Sequence, residues 1–450
     1  MPNWKKLIVS GADAALNTLT IINGAEITGS LIITGSSTIS EDILINGLTI
    51  GKGSGNVYNN TANGNCALYS NTTGNANTAD GINALYHNTT GNHNTANGAN
   101  TLYSNTTGCQ NTANGWRALY CNITGGSNVA NGYASLYYNT TGNNNTANGH
   151  NALYSNTIGC QNTANGYASL YCSTTGINNT ANGYSSLYSN TTGFDNTANG
   201  HSALYSNTRG VRNTANGQNA LYSNTLGGGN VANGFHALHS NTTGNTNVAN
   251  GFNALYHNTI GNANVANGNC ALYCNTRGYG NTSNGSKALE QNTIGQKNTA
   301  NGYLALSRNT IGNSNTANGA DSLSRNTTGS CNTAIGYQSL RFVSVGSNNV
   351  ALGNSAGVYG YLGNNMGITC ISNSVMLGAS SGPLGNDQTN QIVIGHNAIG
   401  EGSNTAKIGD ANVTALYVGG NGAGVVLKSP NGTAYKITVS DAGAITATAI

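Results

Sequence analysis

An all-β fold, a parallel β-solenoid or β-roll of 17-residue two-strand rungs, is predicted by three features of this 450-residue chain. A 17-residue unit returns seventeen times without insertion or deletion, from Asn60 to Asn348. Every copy has Gly at its fifth and fifteenth positions and Leu at its ninth. Fixed-period self-similarity of this length means one supersecondary unit stacked on copies of itself, because a single unit cannot bury its own apolar side.

The glycines set the corners. Gly64, Gly81 and their equivalents at position five, and Gly74, Gly91 and theirs at position fifteen, mark places that need positive φ or close backbone approach. Between them lie two segments, Asn-Thr/Val-Ala-Asn and Ala/Ser-Leu-Tyr-x-Asn-Thr-Thr, each expected to form a short strand. Leu68, Leu85, Leu102, Leu119 and Leu136 begin a column expected to form a buried ridge, with Ala at position three kept small where walls meet. Variation gathers at positions six, seven, sixteen and seventeen, which are expected to be solvent-facing corners. Asn recurs at positions one, four and twelve, where stacked amides can hydrogen-bond from rung to rung.

One Leu and a few Ala per rung make a thin core. At about 25 cal/mol per Å2 of apolar surface they return only a few kcal/mol against the ordering of a whole rung. A further interface is therefore expected. Tyr at position ten, as in Tyr69, Tyr86 and Tyr103, offers an apolar column for interchain packing, with threefold symmetry expected for the assembly.

Charge is sparse, with 15 Lys and Arg against 12 Asp and Glu and a net charge of +3. So small an excess predicts no nucleic-acid partner, and without an apolar run of membrane-spanning length no membrane insertion is expected either. Met1–Gly11 has no apolar signal core behind its basic residues, so classical secretion is not expected. Seven of the nine cysteines, Cys66 with Cys270, Cys121 with Cys172 and Cys274, and Cys109 with Cys160, share repeat columns whose members are too far apart to bridge, and the cysteines read as free thiols of a reducing compartment.

The chain divides into an N-terminal β-rich attachment segment (1–59), the seventeen-repeat shaft (60–348), irregular capping rungs with an insertion (349–410) and a C-terminal β-strand tail (411–450). Short apolar runs separated by Gly/Ser turns predict strands from Leu16 to Ile50. In the cap, Leu352, Leu377 and Ile394 replace an Asn of the shaft, and Val358–Ser372 is irregular. Ser429–Gly432 reads as a turn, and a last strand is expected near Ala444–Ile450.

The capping units Asn348–Gly353, Asn373–Gly378 and Gln391–Gly395 resemble the rungs of trimeric adhesin heads and the shaft repeats of bacteriophage tail-fibre proteins. Met1–Gly11, Ile27–Gly35 and Gly424–Val439 are similar to the ends of such fibre proteins. The resemblance implies a homotrimeric fibre, with the N-terminal end joined to the virion or a neighbouring fibre protein. The C-terminal end would meet a host-surface glycan or protein. The 17-residue period departs from the shorter unit of typical adhesin heads.

No chemistry is expected of the chain. Gly51–Gly55 lacks the order and following helix of a phosphate loop, and reads as a turn. His87 with His257, and His150 with His201, share columns without lying on adjacent rungs, and Cys270 and Cys274 have no further ligands in view. No paired carboxylates or nucleophile–base set is recognisable, so neither cofactor, metal nor catalysis is expected. The expected function is that of a non-enzymatic structural tail fibre of a bacteriophage virion, serving host attachment. The alternative is a bacterial surface adhesin or extracellular fibril, glycosylated at its Asn-x-Ser/Thr triplets. An ice-binding protein or a polysaccharide-cleaving tailspike ranks below both.

Overall fold

The computed structural model describes residues 43–45, 48–359, 367–416, 425–430, 433–439 and 443–450. Within them the chain winds into an all-β parallel solenoid, one turn per repeat, along a single 23-stranded sheet. At ~4.8 Å per strand, the seventeen repeats make a shaft of about 80 Å.

Each rung contributes one short strand, from its second to its fourth position. Thr78–Asp80, Thr95–Asn97 and Thr112–Asn114 are successive examples. Pairing is in register by one period, with Thr78 beside Thr95 and Ala79 beside Ala96. The middle Ala of each strand points inward and is buried, and its neighbours point outward, as the pleat requires. At Ser283, which replaces that Ala, the buried hydroxyl donates to the Ala288 carbonyl at 2.7 Å.

The segment around the leucine forms turns rather than the second strand expected of it. Both its Ala/Ser and its Leu are buried, as at Ala84 and Leu85, and adjacent residues of a strand would face opposite ways. The backbone achieves this by entering the left-handed region at positions seven and nine, with the ninth-position Leu at φ 49–53° in every repeat. A left-handed conformation costs about 1–2 kcal/mol, and full burial of a leucine returns about 1.5–3 kcal/mol. Strain consumes much of what the leucine contributes.

Cohesion comes instead from asparagine. At position one, Asn94 donates from its backbone N–H (2.9 Å) and its Nδ2 (3.1 Å) to Asn77 Oδ1, and again from Nδ2 to the Gly108 carbonyl (2.9 Å). At position twelve, Asn105 Nδ2 donates to Asn88 Oδ1 at 2.8 Å and to the same Gly108 carbonyl at 3.0 Å. Both columns are buried, and where the ladders are unbroken each amide satisfies its donors and acceptor inside the coil. The glycine between them is needed for room. A Cβ on Gly108 would stand 2.4 Å from Asn105 Oδ1 and 2.4 Å from the Gly125 carbonyl. The fourth-position asparagines form a third ladder on the outer sheet face, as between Asn114 Nδ2 and Asn131 Oδ1 at 2.7 Å.

The two ends differ. At the start, strands β1 (Ile43–Ile45) and β2 (Leu48–Gly51) form an antiparallel hairpin, and β2 lies antiparallel on β3 (Thr61–Gly64), covering the sheet edge. The segments Met1–Gly11 and Ile27–Gly35, and the strands expected from Leu16 up to residue 42, lie outside the described residues. At the far end, the strand Val350–Leu352 pairs with Val375–Leu377, so this one turn holds 25 residues against the 17 of a regular rung. The next turn is regular, and the last strand, Ala406–Ile408, follows one shortened to 14 residues. A separate antiparallel sheet consists of Val425–Lys428, Ala434–Val439 and Ile445–Ala449.

The twelfth-position ladder breaks at Ser173, leaving Asn156 Oδ1 and Ser173 Oγ buried without hydrogen-bond partners. Ser173→Asn should restore the ladder and raise stability by about 1–3 kcal/mol, read as a higher urea midpoint. An unchanged or lower midpoint would mean that the ladder is not what holds adjacent rungs together.

Candidate functional site

The turn that follows each strand also builds the surface. Gly at position five, at φ 117–147°, swings the chain so that position six points outward, position seven lies left-handed on the floor, and position ten points outward again after the buried pair. Two side-chain columns therefore run along the shaft with a shallow channel between them.

The tenth-position column is a tyrosine stack. From Tyr69 through Tyr86, Tyr103 and Tyr120 to Tyr222, successive rings lie 5.0–5.2 Å apart and within 20° of parallel. His239 continues the stack between Tyr222 and Tyr256. The tyrosines expected between chains thus cover one another's faces within the chain, and their edges and hydroxyls are left at the surface. His87 and His257 pack edge-on against tyrosines of this column.

Position six carries a second aromatic column through six consecutive rungs: Trp116, Tyr133, His150, Tyr167, Tyr184 and His201, with centroids 4.6–5.3 Å apart. Along the chain, position six is one of the variable positions expected to be a solvent-facing corner, and the aromatic column is not apparent from any single repeat. The signal was present, in the residues read down the column instead of along the chain. Where both columns are aromatic they wall a groove. One stretch of about 390 Å3 has Tyr167 and Tyr184 facing Tyr171, Tyr188 and Tyr205 over a floor of Asn151, Ala168, Ser185 and Ser202. It adjoins a stretch of about 250 Å3 between Trp116 and Tyr133 on one side and Tyr137, Tyr154 and Tyr171 on the other.

The groove is close to neutral. Arg117 lies at one end with its guanidinium 4.1 Å from the Trp116 ring and 5.5 Å from that of Tyr120. Burial, followed by the neighbouring Tyr138 hydroxyl, pushes the Tyr154 phenol up to about 12, so it remains a proton donor at neutral pH. Cys121 and Cys172 are held above the ordinary thiol range by burial, and all nine cysteines are free thiols.

Beyond Tyr273 the tenth position becomes Glu290, Ser307, Ser324 and Arg341. This end of the shaft carries ion pairs at its surface, Lys287 with Glu290 and Arg341 with Asp321, each at 3.8 Å. Past the insertion, a cleft of about 460 Å3 lies among Leu384, Ile399, Glu401, Lys407 and Asp410, with Lys407 and Glu401 ion-paired. Hydrogen bonds from the Asn412 backbone and side chain hold the Asp410 carboxyl below its usual range. Of the insertion, Ile368 and Ile371 are buried against the solenoid. Among the described residues, no three His, Cys, Asp or Glu side chains gather as metal ligands would.

Comparison with protein-family models, with curated proteins and with solved structures returned no match. The reading of function therefore rests on the surfaces themselves and on the resemblance of the capping units.

His239 tests the tyrosine stack. Burial first, then His236 and His257, lower its proton affinity. A histidine whose folded pKa is depressed is protonated preferentially in the unfolded chain, so stability should be lost as pH falls below about 6.5. His239→Tyr should flatten that loss, leaving the contribution of His236, whose pKa is also lowered by burial. Identical pH profiles of melting temperature for the two proteins would mean that His239 is not enclosed by the stack.

Proposed function

We propose that this chain is a non-enzymatic structural fibre subunit, assembled as a homotrimer in a bacteriophage virion and carrying a host-attachment tip beyond Gly353. The observation that carries the oligomeric reading is the C-terminal sheet. In the strand Val425–Lys428 the successive residues Val425, Val426 and Leu427 are all exposed, and consecutive strand residues face opposite sides. On its partner strands Val439 and Ile445 are 67% and 74% exposed. In the paired register Val425, Leu427, Tyr435, Ile437, Val439 and Ile445 share one face, whereas Val426 shares the other with Lys428, Lys436, Thr438, Thr446 and Thr448. A three-stranded sheet with one exposed apolar face has no driving force to stay alone in water, and symmetric copies of itself would cover that face.

The tail-fibre reading is supported by the resemblance of the capping units and by the uniformity of the shaft. A stack of like rungs sets a distance, whereas the insertion and the terminal cleft supply surfaces that occur once. The N-terminal segment, on this reading, joins the particle or a neighbouring fibre protein. The ice-binding alternative draws less support, because Val129, Val231, Val248 and Val265 interrupt the outward Thr column and the adjacent asparagines are engaged with one another.

Light scattering of the full chain should give a trimer, and truncation after Leu416 should give a folded monomer. A full-length monomer at micromolar concentration, or a truncated chain that remains trimeric, would refute the role assigned to the terminal sheet. For attachment, in-phase deletion of Asn298–Cys331 removes two rungs and should shorten the fibre by ~10 Å without loss of host adsorption. Loss of adsorption in deleted fibres that still form trimers would move recognition onto the shaft end.

A further inference from the structure

We infer that the aromatic-walled groove running from Trp116 to Tyr205 is a lateral binding site for a linear, uncharged polysaccharide. The site is distinct from the attachment tip proposed above, and stands whether or not that proposal does.

The shape of the groove selects a polymer. Both walls repeat once per rung over six rungs, a span of about 24 Å along the fibre at ~4.8 Å per rung. A compact ligand would meet only one or two rungs and leave the rest unused. A chain with its own translational repeat would meet the same contacts at each step.

The charge of the groove selects a neutral one. Arg117 is the only formally charged residue lining it, and its guanidinium is engaged by the faces of Trp116 and Tyr120. A polyanion would find no row of cations here, and a polycation no carboxylates. The same sparse charge is absent from the other end of the shaft, where ion pairs occupy the surface.

The chemistry of the lining selects a polyhydroxylated chain with apolar faces. The walls offer aromatic carbon with phenol hydroxyls at the rim, and the floor offers small hydroxyl and amide groups. Asn151 lies where the two stretches of groove meet, and its Oδ1 is enclosed without a hydrogen-bond partner, so turning this side chain toward the groove would offer a sugar hydroxyl an otherwise unused acceptor. An extended peptide is a poorer occupant, since strand addition requires free main-chain donors. The floor N–H groups of Asn151, Ala168, Ser185 and Ser202 already donate to the preceding rung, each at 2.9 Å.

The rung geometry also supplies a variant that fills the groove without breaking the coil. Ser185 sits at position seven with φ 51°, and Lys287 occupies the same position in a later rung with φ 58°. Ser185→Lys therefore places a long side chain where the fold accepts one elsewhere. Full-length protein would be titrated calorimetrically with cellohexaose, xylohexaose, mannohexaose and maltohexaose, and with hyaluronan as an anionic control. We expect at least one neutral oligosaccharide to bind, hyaluronan not to, and Ser185→Lys to weaken that binding at least tenfold with circular dichroism and oligomeric state unchanged. No binding by any neutral chain, equal binding by the variant, or preference for hyaluronan would overturn the inference. A change of oligomeric state in Ser185→Lys would also overturn it, by assigning the groove to a second copy of the chain.

Discussion

In fifteen of the seventeen shaft rungs the turn is closed by one backbone carbonyl, that of the fifteenth-position glycine, which accepts from two buried asparagine side chains of its own rung. The same asparagines reach to the rung before, so the contact that closes a turn also joins it to its neighbour. Much else follows from that junction. The glycine cannot be larger, because a Cβ would overlap the amide and the next carbonyl. Within the shaft the period cannot vary, because an inserted residue would carry an amide out of line and leave several buried polar groups unpaired. Where the twelfth-position ladder does lapse, at Ser173 and Val343, the orphaned acceptors are those of Asn156 and Asn326.

A core organised by amides tolerates backbone strain that an apolar core of this size could not. Every rung holds its ninth-position Leu, and a non-glycine residue at position seven, in the left-handed region. Such conformations persist where surrounding contacts over-determine them. Here the Leu N–H donates to the next rung, as Leu85 does to the Thr101 carbonyl at 3.0 Å, and its carbonyl accepts from the asparagine three residues on, as from Asn88 at 3.1 Å. The strained residue is thus clamped on both sides. Its reward is geometric, since the kink places two adjacent side chains inside and frees the next for the tyrosine stack.

Much of the architecture was legible in the amino-acid sequence, because the period, the two glycines and the first-position asparagine are invariants that report directly on stacking. Less legible was the path of the chain between them. Leucine carries no left-handed preference, so nothing in Leu68 or Leu85 distinguished a turn from a strand, although the adjacent buried pair Ala84-Leu85 was inconsistent with strand alternation. The aromatic groove was missed for a different reason. Position six varies from rung to rung, and variation along the chain was taken for irrelevance, whereas the stacked geometry turns Trp116, Tyr133, His150 and Tyr167 into one continuous surface.

That difference separates the two kinds of column in this molecule. Invariant columns face inward, and their chemistry is dictated by the rung above and below, so each residue there is constrained by copies of itself. Outward columns carry no such constraint, and a run of one residue class among them needs another cause. Stacking supplies part of it, since aromatic pairs at offset geometry contribute about 0.5–1.5 kcal/mol beyond their buried area. Stacking alone, however, would be served by a single column, and the tyrosines of position ten already extend from Tyr69 to Tyr222 without help from position six. The second column runs unbroken from Trp116 to His201, lapses at Gln218 and returns briefly at Phe235 and Phe252, and over its long run it faces the first across a floor whose one charge is Arg117. A feature so confined is not required by a fold that is the same in every rung, which is why the groove, rather than the shaft as a whole, is where recognition is to be sought.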